Sequence, residues 1–149
     1  MFYISLKNKY KKGHQVEKYN NFINDSLSID SEAGRLLVHS KSHKKIQNNK
    51  LLGINPGAAF GSAKQWYPKK FAEVALGMSN QYDIIIFGGP KDFDIAKDIE
   101  NYLTEMGVIN YQNIATKLSV PELISHIKNL DLFVTCDSGP MHLAAALKI

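Results

Sequence analysis

The chain has a single cysteine, Cys136, in 149 residues. No internal disulfide can form, so the fold must rest on burial and hydrogen bonding, and one lone thiol fits a reducing compartment. No apolar run comes near the ~18 residues needed to span a bilayer. The first residues, MFYISLKNKYKK, hold no apolar stretch leading to a small-residue cleavage site, so no secretory signal is read there. The common phosphate signatures are missing as well. Gly57 and Gly61 stand too close together for a G-x-x-x-x-G-K-[ST] loop, and Lys64 does not follow a glycine. No G-x-G-x-x-G follows an apolar run, which leaves the usual dehydrogenase type of dinucleotide fold unsupported. Gly-x-Ser-x-Gly is absent, and five scattered histidines with one cysteine offer no metal-ligand spacing.

What is present fits a soluble globular domain: 44% hydrophobic and 21% charged residues, enough of both for a packed core under a solvated surface. The net charge of +4 is unevenly spread. Residues 1–50 carry ten Lys/Arg against four Asp/Glu, whereas residues 51–149 carry eight against ten. A basic excess confined to the first third, in runs such as Lys9-Tyr10-Lys11-Lys12, reads first as a solvated face and second as a face toward anionic lipid or an acidic partner. Nucleic-acid binding through it is the weakest of these readings.

The two parts differ in pattern. In residues 1–50, FYISL could be a short strand, and Val16, Tyr19, Phe22 and Ile23 recur at helical spacing, which places a helix at about 14–25. The rest, to residue 50, reads as a connection around Leu36-Leu37-Val38. From Leu51 onward the order is regular. LLGIN reads as a buried strand, broken by Pro56-Gly57. Pro68 suits the first turn of a helix with Phe71, Val74, Ala75 and Met78 on one stripe. DIIIFGG is a second buried strand. Asp92 or Asp94 caps a helix bearing Ile95, Ile99, Tyr102, Leu103 and Met106, and Gly107 stands where a helix C-terminal glycine belongs. Residues 108–115 hold a weak third strand. Ser119-Val120-Pro121-Glu122 is a capping box ahead of a helix that buries Leu123, Ile124, Ile127 and Leu130. LFVTC is the last strand, and Gly139 to Leu147 the last helix.

Strands alternating with short helices predict an α/β fold, a parallel sheet covered by helices on both faces. Right-handed crossovers bring every strand's C-terminal end to one edge, where ligands bind in such sheets. Three segments reach that edge: NPGAAFGSAK, FGGPKDFD and CDSGPMH. Glycines there let phosphate oxygens approach backbone amides, helix N-termini add partial positive charge, and Lys64 would add a full one. Such an edge suits a diphosphate. Asp92-Phe93-Asp94 has the D-x-D form of some metal-dependent sugar transferases, but two acids at a helix start serve as cap and dipole partner without any metal. Cys136 reads as a small core residue. Ser138 is placed to cap the last helix, and His142 is in its first turn. There it is either an ordinary surface histidine or one leaning back over the N-terminal amides.

The stretch from Asp137 to Leu147, D-[ST]-G-P-M-H-L-A-A-A-L, and that from Pro56 to Trp66, P-G-A-x-x-G-x-A-K-x-W, together resemble the ADP-heptose:lipopolysaccharide heptosyltransferases, glycosyltransferase family nine, and most closely their type II branch. The resemblance covers roughly residues 51–149, with His14 to Tyr19 similar to that family's interdomain region. It implies a Rossmann-like sheet forming the C-terminal, donor-binding half of a two-domain GT-B transferase, here incomplete at its C-terminal end. Residues 1–50 would then be interdomain or linker and 51–149 the donor domain. The implied activity is inverting transfer of heptose from ADP-heptose to the lipopolysaccharide inner core, in the cytoplasm, with peripheral contact at the inner membrane as a further option. No cofactor, metal or nucleic acid is implied. By the same resemblance Lys64 contacts the donor phosphates, Asp137, Ser138, Gly139 and His142 cradle the diphosphate and nearby sugar, and Leu118 lies against the adenine. Asp92 falls near an acidic position that holds the ribose, and Gly57 and Ala58 belong to the first glycine segment. The catalytic base is expected in an N-terminal domain that the resemblance does not cover, so the fragment alone would be inactive. The alternative is a non-catalytic α/β module that binds a small anion or nucleotide.

Overall fold

The computed structural model describes residues 13–35, 37–38, 49–58 and 65–149. The strand suggested by FYISL and the side chain of Lys64 lie outside the described residues. The chain divides into two compact units, residues 1–36 and 37–149.

The first unit contains one described helix, α1 (Gln15–Leu27). It starts in a reciprocal box. The amide of Val16 donates to His14 Nδ1 at 3.3 Å, and the amide of His14 donates to Glu17 Oε2 at 3.1 Å. Ser28, in the left-handed region at φ 54°, ends it. The chain then turns back, so that Asn20 and Asn24 both donate to the carbonyl of Ser31, at 2.7 and 2.8 Å. The predicted apolar spacing forms the helix, yet α1 has no buried residue, and Tyr19 and Ile23 are exposed.

The second unit is the expected alternation: β1 (Lys50–Asn55), α2 (Pro68–Met78), β2 (Tyr82–Ile86), α3 (Phe93–Glu105), β3 (Tyr111–Asn113), α4 (Val120–Lys128), β4 (Leu132–Thr135) and α5 (Gly139–Leu147). The sheet is parallel throughout, in the order β3-β2-β1-β4. From β1 the chain winds outward through β2 to β3, then crosses back to β4 on the other side of β1. Right-handed crossovers in opposite directions place their helices on opposite faces.

The period-2 alternation of the strands divides the core accordingly. On one face Leu52 and Ile54 of β1 and Ile84 and Ile86 of β2 pack with Phe71, Ala72 and Ala75 of α2 and Ala96, Ile99 and Leu103 of α3. On the other, Leu51, Ile85 and Phe87 pack with Ile127 of α4, Leu130 and Ala144 of α5. Gly53 faces this second layer. A Cβ there would collide with the side chains of Leu130, Phe133 and Phe87. Its absence lets the Phe87 and Phe133 rings meet edge to face at 5.6 Å, a geometry worth about 0.5–1.5 kcal/mol beyond the area it buries. Ala72, outside the predicted stripe, is fully buried, whereas Val74 is only half-buried. Cys136 is buried in the first layer, as a small core residue would be.

Gly107 ends α3 at φ +74°. Its amide donates to the carbonyl of Thr104 at 3.0 Å, and that of Val108 to Leu103 at 2.9 Å. This is the two-bond Schellman pattern. β3 is only three residues long, shorter than the predicted segment 108–115. Glu122 closes the start of α4 as expected, accepting from the Ser119 amide at 2.7 Å and its hydroxyl at 2.6 Å.

Candidate functional site

β1 and β4 are neighbours whose following connections diverge to opposite faces of the sheet. That makes the gap beyond their C-terminal ends the topological switch point, where open α/β sheets take their ligands. A cavity of about 520 Å³ opens there. Its walls come from the three predicted segments and a fourth after β3.

The segment after β1 contributes Gly57 and Ala58, both buried. The segment after β2 contributes Gly88, Gly89 and Asp92. Asp92 is at the N-cap position of α3 but makes no capping bond to that helix. Its carboxylate turns inward, where Oδ2 accepts from the Gly89 amide at 2.7 Å. It also lies directly over Gly57. A Cβ on Gly57 would stand 2.6 Å from the Asp92 Cγ, so the missing side chain at 57 is space that Asp92 occupies. The first two glycine segments therefore meet through one carboxylate.

The segment after β3 contributes an apolar wall, with Ile114, Leu118 and Leu123 beside Phe87. This wall is set by a bend at Thr116, a β-branched residue at φ 65°. Residues of that type rarely enter the left-handed region. The amide of Thr116 donates to the carbonyl of Gly88 at 2.8 Å, which ties this wall to the loop after β2.

The segment after β4 contributes Ser138, Gly139 and Pro140. Ser138 holds the N-cap position of α5 in extended conformation, but its side chain makes no cap bond. The expectation that its hydroxyl caps the helix is therefore corrected. The hydroxyl points back into the sheet, donating to the carbonyl of Cys136 at 3.1 Å and accepting from Asn55 Nδ2 at 3.1 Å. Asn55 also donates to Thr135 Oγ1 at 3.1 Å. At 2% exposure Asn55 is a buried polar residue among an otherwise apolar described core. Sequence reasoning treated it as the last letter of a strand. The signal it carried was an amide at the end of an apolar run, immediately before Pro-Gly.

Gly57, Ala58, Asp92, Leu118, Ser138 and Gly139 are thus brought to one cavity. Asp137 and His142 are exposed and do not line it. His142 lies one turn into α5, and Asp137 immediately precedes Ser138. Lys64 is outside the described residues. The cavity combines an apolar side, suited to a planar ring, with a glycine-rich side closed by a helix N-terminus, suited to an anion.

The sequence matches the glycosyltransferase family 9 (heptosyltransferase) profile over residues 1–149. It is 44% identical to lipooligosaccharide heptosyltransferase 2 of Campylobacter jejuni serotype O:2, over 99% of this chain and 48% of that protein. It is 34% identical to lipopolysaccharide heptosyltransferase 2 of Escherichia coli K12, over 65% of this chain and 28% of that protein. The chain spans about half the length, or less, of the curated relatives it matches. Among solved structures, ADP-heptose lipopolysaccharide heptosyltransferase II of Escherichia coli superposes with a TM-score of 0.63 at 27% identity, covering 91% of this chain and 36% of that one. A family 9 glycosyltransferase of Veillonella parvula superposes at 0.77 with 22% identity, over 99% and 44%, a likeness of fold. The chain belongs to glycosyltransferase family 9, the heptosyltransferases.

Proposed function

We propose that this chain is the donor-binding part of a transferase that moves heptose from ADP-heptose to the inner core of lipopolysaccharide. The donor would bind across the cavity beyond β1 and β4. Residues 51–149 would form its site, and residues 1–50 would be the linker to an acceptor-binding half. One observation carries the reading: the apolar wall at Leu118 and the glycine-rich turn at Ser138-Gly139 face the same cavity, as a nucleoside diphosphate requires.

In an inverting transfer an acceptor hydroxyl attacks the anomeric carbon and ADP departs. Negative charge grows on the leaving diphosphate, so donors fixed in advance around it stabilise the transition state more than the ground state. The amides at the start of α5, together with Lys64 and His142, are the groups assigned to this. None of them needs a metal. The base that takes the acceptor's proton is assigned to the half of the relatives that this chain does not cover. The enzyme would work in the cytoplasm, where the basic first third could rest against anionic lipid at the inner membrane.

Calorimetric titration with ADP tests the reading. Binding with preference for ADP and ADP-sugars over inorganic phosphate is expected, and Lys64→Ala should weaken it. A folded chain that binds nothing up to millimolar ADP overturns it. Equal affinity for phosphate and ADP-sugars would favour a simple anion-binding module instead.

A further inference from the structure

Resting on that reading of the cavity, we infer that Asn55 is a positioning residue for the Ser138-Gly139 turn and commits the Ser138 hydroxyl to the protein rather than to the ligand. An Asn amide nitrogen carries two hydrogens. Here they have two acceptors, Thr135 Oγ1 and Ser138 Oγ, both at 3.1 Å. Each hydroxyl in turn spends its own hydrogen on the carbonyl of Cys136, at 2.9 Å from Thr135 and 3.1 Å from Ser138. The two hydroxyls also stand 3.3 Å apart, where either can donate to the other, so each hydroxyl hydrogen has an acceptor within the protein in either arrangement. The Ser138 hydrogen is thus engaged within the protein rather than offered to a phosphate oxygen, although Ser138 holds the N-cap position of α5.

The placement of these bonds gives them their effect. The parallel ladder between β1 and β4 ends at the pair Asn55 and Thr135. Beyond it the amide of Cys136 still donates to the carbonyl of Asn55 at 3.2 Å, and after that the two chains diverge. The Asn55 side chain spans the divergence and fastens residue 138, which lies 83 positions away in sequence. This is a direct side-chain bond from β1 to the turn that starts α5. A lost neutral hydrogen bond is worth about a factor of ten in an equilibrium, and a loosened turn would carry that factor into the affinity for the anion it receives.

The test uses the full chain and ADP in four forms: wild type, Asn55→Ala, Ser138→Ala and the double variant. Each single change should weaken ADP binding about tenfold, and the double should lie within about twofold of the weaker single, because both remove the same tether. Single variants within twofold of wild type, or effects that multiply in the double, would overturn the proposal. Should Asn55→Ala fail to fold, Asn55→Asp keeps the shape. Its affinity deficit should narrow as pH falls and the buried carboxyl regains a proton to donate, and a deficit independent of pH would count against the role. Amide exchange in the free chain separates this claim from the nucleotide reading. Asn55→Ala should speed exchange at Cys136 and Met141 at least tenfold more than at Ile84 of β2. If wild type binds no ADP, the nucleotide reading falls, and the tether stands or falls on exchange. A uniform rise across the sheet would overturn the tether itself.

Discussion

The Gly57 backbone and the Asp92 carboxylate occupy adjoining space with no room for a methyl group between them: a Cβ on Gly57 would stand 2.6 Å from Asp92 Cγ. Gly57→Ala should therefore push the carboxylate off the Gly89 amide. The expected cost is that of overpacking a tight site, about 1–3 kcal/mol, with a parallel loss of ADP affinity. The cause is open to a cycle. In an Asp92→Ala background the space is vacant, so Gly57→Ala should cost much less there than in wild type. Equal costs in both backgrounds, measured by urea unfolding, would place the strain elsewhere.

Gly107 offers the opposite case. Its φ is +74° and a Cβ would meet nothing within 4 Å. Only backbone conformation is at stake. Gly107→Ala should destabilise the chain by about 1 kcal/mol, the ordinary cost of holding an L-residue in the left-handed region. Gly77, in the exposed part of α2 with equally open space, is the control. Gly77→Ala should stabilise by about 0.5–1 kcal/mol, because alanine suits a helix interior better. Shifts of the same sign at both positions would contradict this account.

These contrasts bear on what a sequence can reveal. Gly107 was legible because its cause is local: the helix before it has a clear stripe, and a glycine stands just past the last apolar position. The order of strands and helices was legible for the same reason, from periods of 2 and 3.6 repeated in short windows. The role of Ser138 was half legible. Its position at a helix start is local, but its hydroxyl is also engaged by Asn55, on a different strand. Asn55 itself passed unnoticed because its partners are 80 and 83 residues away, and an asparagine at a strand end more often marks a turn. In α1 the periodicity called for a helix and a helix forms, yet spacing says nothing of what covers Tyr19 and Ile23. Asp92 shows the same limit, since its acid was read as a cap and its carboxylate is held instead by Gly89 and fitted over Gly57.

Thr116 supports a gain-of-stability prediction. A β-branched residue at φ 65° is costly, and nothing in its side chain is needed for the bond from its amide to Gly88. Thr116→Gly relieves about 1–2 kcal/mol of conformational strain while giving the unfolded chain more freedom, worth about 0.5–1 kcal/mol in the other direction. A net gain up to about 1 kcal/mol is expected, and the melting temperature should rise. ADP affinity should hold, because the Ile114 and Leu118 wall keeps its bend. A lower melting temperature would mean that the threonine side chain contributes contacts that outweigh its strain.

Glu122 makes acid sensitivity predictable at one helix start. Its carboxyl is held below the ordinary range, first by the Ser119 hydroxyl and then by the Ser119 amide. A folded-state value lower than the unfolded one means that the unfolded chain binds the proton more readily. The contribution to stability is therefore complete above the ordinary glutamate value of about 4.3 and disappears as pH falls from there through the lowered folded value. Glu100 is shifted the same way, by the Lys97 ammonium and then by Asn113, so both groups steepen the acid side of the stability curve. Glu122→Gln keeps a side chain able to reach the Ser119 amide but removes the titration. Its unfolding free energy should vary less with pH than wild type between about pH 5 and 3, while the two curves run parallel from pH 6 to 8. A variant curve as steep as wild type on the acid side would mean that the Ser119 bonds do not favour the ionised carboxyl.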